Sequence, residues 1–312
     1  MKIVQVCDYT APASNAQGAE RIVERISKGL HQLGHEVSIK CKGVSPIEGV
    51  TLTDTIEGAD IVHFHGWDAN EYSKVQKPWV TTIHGYQLHD NVSQAYRSEH
   101  VVGVSKFAAS NLNSRYYVWN CSDPDEFKFE PKKDNYFLWM ASTDWGEMKG
   151  LFSTIELCKT LKVKLKIAGS GKNQDHIKKI HEACNKDIEY LGFVNGEDKV
   201  RLLQKAKALI LFTRLPDACP VSVSEALMCG TPVLGSMKGS MPEIIMNNIT
   251  GFTCESLYES IRAINIVDKI RPQTCRDFAE KNFSIKACAK SYVNIYHRVI
   301  DAGKHKEAVS PS

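Results

Sequence analysis

The sequence predicts an α/β protein made of two parallel-sheet domains, and three observations carry that expectation. The chain has 312 residues, long for one hydrophobic core and natural for two. Short apolar runs recur along its length, each closed by polar or glycine residues, as strands buried on both faces of a parallel sheet require. Stretches with apolar residues at helical spacing lie between them, so strand and helix alternate throughout.

The bulk properties narrow the function classes. Hydrophobic residues make up 43% and charged residues 24%, the values of a globular chain, and a net charge of +3 is too small to argue for a nucleic-acid partner. Lysines cluster at 159–166 and 172–179, where solvated helix faces and strand ends account for them. Ten cysteines show neither a C-x-x-C pair nor metal-type spacing, which predicts buried thiols in a reducing, cytoplasmic setting. Residues 1–6 alternate into a strand with no apolar leader behind Lys2. No run of about eighteen apolar residues follows, so the expectation is no transmembrane segment, peripheral membrane contact remaining open.

In order, residues 2–7 read as the first strand and 8–17 as a polar loop. Gly18 opens a helix whose apolar face is Ile22, Val23, Ile26, Leu30 and Leu33, closed by Gly34. Residues 35–39 form the next strand. Two further strands, 59–65 and 78–84, each end on a histidine, His65 before Gly66-Trp67 and His84 before Gly85. Both histidines fall at the carboxyl edge of a parallel strand, where open α/β sheets bind ligands. Strand 99–105 and helix 106–113 lead to Asn120-Cys121-Ser122-Asp123, and the Lys- and Pro-bearing stretch 128–135 reads as an interdomain linker.

The second half opens with an apolar strand, 136–141, a polar loop, and Lys149-Gly150 before helix 151–161. Strand 163–168 ends in Gly169-Ser170-Gly171, which is not a dinucleotide fingerprint. Helix 175–184, strand and turn 188–194 and helix 198–205 follow. The most informative stretch comes next. Residues 208–212 are a buried strand, and Pro220 suits the first helical position of a helix running to about Cys229, stopped by Gly230 and Pro232 before a second buried strand. Free amides and the macrodipole at that helix start favour an anion such as a phosphate. Asp217 lies just before the helix and Glu225 inside it, so two carboxylates can accept hydrogens from a polyhydroxylated ligand. Helices at 256–266, from 272 and at 287–300 complete the chain, with 302–312 expected to be disordered.

Asp217-Ala218-Cys219-Pro220-Val221-Ser222-Val223-Ser224-Glu225 and the following Ala226-Leu227-Met228-Cys229-Gly230-Thr231-Pro232-Val233 resemble the donor-site signature of retaining GT-B glycosyltransferases of family four, glycosyl transferases group 1. Gly239-Ser240-Met241-Pro242-Glu243 and Thr250-Gly251-Phe252 continue the resemblance in register, as do Gln17-Gly18-Ala19-Glu20, Thr82-Ile83-His84-Gly85 and the turn at Asn120. It implies a GT-B fold of two Rossmann-like domains facing a cleft: 1–130 on the acceptor side, 131–285 for the donor, and a helix at 286–301 crossing back to the first domain.

The resemblance also implies roles. Glu225 would bind the ribose hydroxyls. Asp217, with the main chain of Ala218, Cys219, Pro220 and Val221, would hold the donor sugar, and Lys149 and the helix start would take the diphosphate. Gly192, Phe193 and Val194 would recognise the base through main-chain groups. His84 and Gly18 would complete the site on closure, His84 and Asp217 being the catalytic candidates, with His65 and Trp67 on the acceptor side. The implied activity is hexose transfer with retention from a UDP- or GDP-sugar co-substrate to a glycan or other acceptor, without metal or other cofactor. Two departures favour an alternative, a nucleotide-sugar-binding module with impaired catalysis. Asp217 stands where the family has Glu, which withdraws the carboxylate by about 1.5 Å, and no arginine lies between Ala141 and Gly150 to grip the diphosphate in bidentate fashion.

Overall fold

A computed structural model of the chain describes residues 1–13, 18–66, 72–87 and 99–309, with the side chains of 304–309 not among those described. Residues 302–309 are helical, part of the last helix, Ile285–Val309, instead of the disorder expected from 302 onward. The segment carries alanine, lysine and glutamate, which are good helix formers, and meets no proline before Pro311.

The chain divides into two compact units, Met1–Cys121 with Asn282–Ser312, and Ser122–Lys281. The division falls inside the Asn120 turn, ahead of residue 130. The stretch read as an interdomain linker is hydrogen-bonded to the second unit. The Asp134 amide donates to the Lys205 carbonyl at 2.7 Å, and Lys133 Nζ donates to the carbonyls of Gln204 (2.7 Å) and Cys229 (3.1 Å) and to Thr231 Oγ1 (2.8 Å). Burial pushes the Lys133 ammonium down to about 8, a cost accepted for capping two helix carboxyl ends at once.

The first unit is a seven-stranded sheet, parallel throughout. Its strands are β1 (Lys2–Ala11), β2 (Glu36–Gly43), β3 (Thr51–Leu52), β4 (Ile61–His65), β5 (Trp79–Ile83), β6 (Val101–Gly103) and β7 (Tyr116–Tyr117), in the order β3-β2-β1-β4-β5-β6-β7. Register places Gln5 beside His63 and His65 beside Thr82. Alternation therefore gives the sheet two unlike faces. One is apolar, with Val4, Val62, Phe64, Ile83 and Val101 in a single buried cluster. The other carries Gln5, His63 and Thr82, all fully buried, and is covered by Tyr292 and Tyr296 of the last helix. Helix α1 (Gly18–Gln32) buries Ile22, Val23, Ile26 and Leu30, as its spacing predicts.

The second unit is a six-stranded parallel sheet of β8 (Phe137–Met140), β9 (Leu165–Ala168), β10 (Ile188–Gly192), β11 (Ala208–Leu211), β12 (Val233–Ser236) and β13 (Gly251–Cys254), ordered β10-β9-β8-β11-β12-β13. Strands β8, β9, β11 and β12 are almost wholly buried, which explains their near-continuous apolar sequence. Strand order reverses between β8 and β11. The loops leaving those two strands are therefore neighbours at the carboxyl edge, the position at which such sheets bind ligands.

Candidate functional site

In the second unit the reversal point brings Lys149 and Asp217 into an ion pair. Lys149 is held from behind. Its carbonyl accepts from Trp139 Nε1 at 3.2 Å, its amide donates to the Trp145 carbonyl at 2.7 Å, and Gly150, at φ +71°, packs where a Cβ would lie 1.9 Å from the Phe212 carbonyl oxygen. The anion expected near this lysine is thus supplied by Asp217 itself. Asp217 is fixed in turn by the Gly239 loop. The Ser240 amide donates to the Asp217 carbonyl at 2.9 Å, and a Cβ on Gly239, at φ +58°, would sit 2.4 Å from the Asp217 nitrogen. Gly239 in its motif therefore serves the position of Asp217.

Helix α6 (Val221–Met228) follows. Pro220 is its N-cap, one place earlier than expected, in an extended conformation with ψ 118°, and no side chain caps the helix. Cys229 ends it and Gly230, at φ +76°, turns the chain, as the sequence predicts. No side-chain oxygen takes the amides of this start, and that of Val223 donates to the Pro220 carbonyl at 3.1 Å. Ala218, Cys219 and Pro220 are buried, while Val221 is half-buried beside them. Glu225 is only 2% exposed, so it is no solvated face residue, and Lys199 Nζ lies 2.6 Å from its Oε2.

Lys199 is a further candidate site residue, one not singled out from the sequence. It sits in the first turn of α5 (Gly196–Lys205), over the Phe127 ring at 5.5 Å, with its side chain 17% exposed. A cation in the first turn of a helix opposes the macrodipole, and that was the available signal. This helix follows directly on Gly192, Phe193 and Val194, so the Lys199–Glu225 pair ties their turn to α6. Gly192 has φ +67° with open space where a Cβ would be, its carbonyl accepts from the Gly169 amide at 2.8 Å, and Phe193 is 49% exposed. The loop in which an arginine is expected holds Asp144 instead, whose Oδ1 accepts from the amides of Lys172 (2.6 Å) and Asn173 (2.8 Å). An arginine does reach this loop from the one that follows the neighbouring strand β11. Arg214 pairs with Glu147, and its amide donates to the Met148 carbonyl at 2.7 Å.

In the first unit His65 and His84 meet directly, His65 Nδ1 lying 3.1 Å from His84 Nε2. His65 Nε2 is 2.7 Å from Gln5 Oε1. His63, not singled out from the sequence, packs at a tilt of 32° against His65 with centroids 4.1 Å apart and bonds Tyr296 through Nδ1 (2.7 Å) and Thr82 through Nε2 (2.8 Å). Burial lowers the pKa of all three imidazoles, that of His84 to about 4, so the cluster is neutral. Gly18 is the exposed first residue of α1, and an added Cβ would meet nothing within 4 Å; tight packing is therefore not what requires a glycine there. Trp67 lies outside the described residues.

The chain is similar to known proteins. Residues 122–281, just over half of the chain, match the family described as glycosyl transferases group 1. Two uncharacterised glycosyltransferases of Methanocaldococcus jannaschii are similar. One is 25% identical over 63% of this chain and 62% of its own length, and the other 23% identical over 78% and 77%. The chain thus spans under two thirds of the first of these relatives. Among solved structures, AviGT4, a glycosyltransferase involved in avilamycin A biosynthesis, superposes with a TM-score of 0.81 at 19% identity, covering 96% of this chain and 98% of that one. Anabaena Alr3699/HepE in complex with UDP-glucose gives 0.69 at 17% identity, covering 98% and 100%. The fold is GT-B, two Rossmann-like parallel-sheet domains, and the chain belongs to the glycosyl transferases group 1.

Proposed function

We propose that this protein is a retaining hexosyltransferase that takes a sugar from a nucleoside diphosphate donor, with a uridine nucleotide as the default base. The observation that carries the reading is the uncapped start of α6, flanked by Asp217 and Glu225 and supplied with two lysines, Lys149 at the strand-order reversal and Lys199 on α5. Its parts match the parts of such a donor: amides and Lys149 for the diphosphate, Glu225 for ribose hydroxyls, Asp217 for the sugar. The UDP-glucose complex of HepE, of the same fold, supports the choice of donor.

Departure of a diphosphate leaves an oxocarbenium-like sugar, so the catalyst mainly stabilises charge on the leaving group and excludes water. Lys149 and the α6 amides would do the first without a metal ion. On donor binding Lys149 exchanges part of its bond to Asp217 for the phosphate, freeing Asp217 to accept from the sugar. His84 would act at the reacting end of the sugar and His65 on the acceptor side, with a glycan as acceptor. Gly18, where the chain itself demands no glycine, would let the backbone approach the ligand closely. Gly192 to Val194 would recognise the base. Ten free cysteines, seven of them buried, support a reducing, cytoplasmic setting, and among the described residues no helix is long and apolar enough to cross a membrane.

A binding module of the same fold with weakened catalysis is the second reading, favoured by Asp144 in the loop where a phosphate-binding arginine is expected. Incubation with radiolabelled UDP- and GDP-hexoses separates the two. Release of nucleoside diphosphate, by transfer or by slow hydrolysis, supports the enzyme. Saturable binding with no release supports the module, and no binding contradicts both.

A further inference from the structure

The buried face of the first sheet carries a hydrogen-bonded chain with a direction. Gln5 has one end that only accepts and one that only donates. Its Oε1, 2.7 Å from His65 Nε2, requires the proton on that nitrogen. A neutral His65 then has a bare Nδ1, which accepts from His84 Nε2 at 3.1 Å. At the other end Gln5 Nε2 donates to the Tyr296 hydroxyl (3.5 Å), whose own proton goes to His63 Nδ1 (2.7 Å). His63 Nε2 then donates to Thr82 Oγ1 (2.8 Å), which also bonds the Tyr292 hydroxyl (2.9 Å). Every bond points away from Gln5 along one arm and toward it along the other.

We propose that Gln5, anchored by Tyr296 of the last helix, is a positioning residue that holds His63, His65 and His84 in the Nε2–H tautomer, so that His84 offers a bare Nδ1 as an acceptor. Turning the Gln5 amide over would reverse every bond and put the proton on His84 Nδ1, so one side chain sets the polarity of the whole chain. A bare Nδ1 suits a ligand hydroxyl, which donates, and disfavours a phosphate oxygen, which cannot. His84 follows β5 at the carboxyl edge of the sheet and is part-exposed, whereas His63 is fully buried, so His84 is the member available to a ligand. Chains of this kind polarise one another, and a buried member left unpaired is costly, which makes mixed polarities unfavourable. The consequence for turnover rests on the role given to His84 above; the polarity does not.

The test is long-range 15N–1H correlation on the full chain with 15N-labelled histidine, in which the two tautomers give different cross-peak patterns. The wild type is expected to show Nε2–H at His63, His65 and His84 near neutral pH. Nδ1–H or an even mixture at His84 would overturn the proposal. In Gln5→Leu the His84 pattern is expected to become mixed, with kcat reduced on the order of tenfold and the donor KM unchanged. An unchanged His84 pattern in that variant would remove Gln5 from the role. Tyr296→Phe, nearly isosteric, guards against a failure of Gln5→Leu to fold: it removes the Gln5 anchor together with the His63 partner, so His63 and His84 should both lose their single tautomer, and an unchanged His84 pattern would contradict the anchoring of Gln5 by Tyr296. If the spectra are as expected and His84→Ala retains full turnover, the polarity stands and the catalytic reading of His84 fails.

Discussion

The two units place polar side chains inside or against a parallel sheet in opposite ways. The first uses neutral groups, Gln5, three histidines, Thr82 and two tyrosines, satisfied by direction alone. The second uses opposed charges, Lys149 with Asp217 and Lys199 with Glu225. A neutral network avoids the desolvation cost of ions but depends on each proton being in its place. Ion pairs cost more to bury yet keep cations in reserve that an incoming diphosphate can claim. The difference predicts that acid and tautomer changes strike the first unit, while charge substitutions and anionic ligands act on the second.

The largest effect is expected at Glu225. Glu225→Ala removes the proposed ribose acceptor and leaves Lys199 nearly buried without its partner, which costs roughly 3 kcal/mol of stability. Donor affinity measured by calorimetry should fall by about a hundredfold or more. Pairing Glu225→Gln with Lys199→Met should restore the melting temperature while leaving donor binding weak, which separates the fold from the site.

His84→Ala should come next, with kcat lowered on the order of a hundredfold and donor KM little changed in steady-state assays. A raised donor KM with kcat unchanged would place His84 in ground-state binding instead.

Acid sharpens the contrast further. His84 has its pKa lowered to about 4 by burial and ionises near 6.5 when unfolded, so the unfolded chain holds the extra proton between those values. Stability is therefore full above about pH 6.5 and falls as pH drops toward about 4, with His63 and His65 acting in the same direction. Thermal unfolding across that window should show Tm dropping by roughly 5 °C or more. A flat profile would mean that the cluster is hydrated and not neutral by burial.

Much of this was legible beforehand. Apolar runs such as 208–212 and the Gly230-Thr231-Pro232 stop located the strands and helices of the second unit, because glycine and proline act locally. Asp217 and Glu225 stood out for the same reason, lying in one short window around a helix start. What the sequence hid depends on partners far away in the chain. His63 is an unremarked residue until Tyr296, 233 positions on, closes its bond, and Lys199 acquires meaning only beside Glu225. Residues 128–135 have linker composition, yet Lys133 finds three acceptors that no local pattern announces.

Smaller effects probe the supports. Gly239→Ala forces a Cβ against the Asp217 backbone at a positive φ and should cost about 1–3 kcal/mol by denaturant unfolding, with donor affinity reduced alongside. Breaking the exposed Arg214–Glu147 pair with Glu147→Ala should change stability by less than about 1 kcal/mol.

The most direct measurement is calorimetric titration of the purified chain with a panel of UDP- and GDP-hexoses, repeated on Asp217→Asn. At least one donor should bind saturably at a single site, and removing this one negative charge should weaken it at least tenfold. Silence toward the entire panel, or an affinity indifferent to residue 217, would show that the α6 start is not where an activated sugar is held.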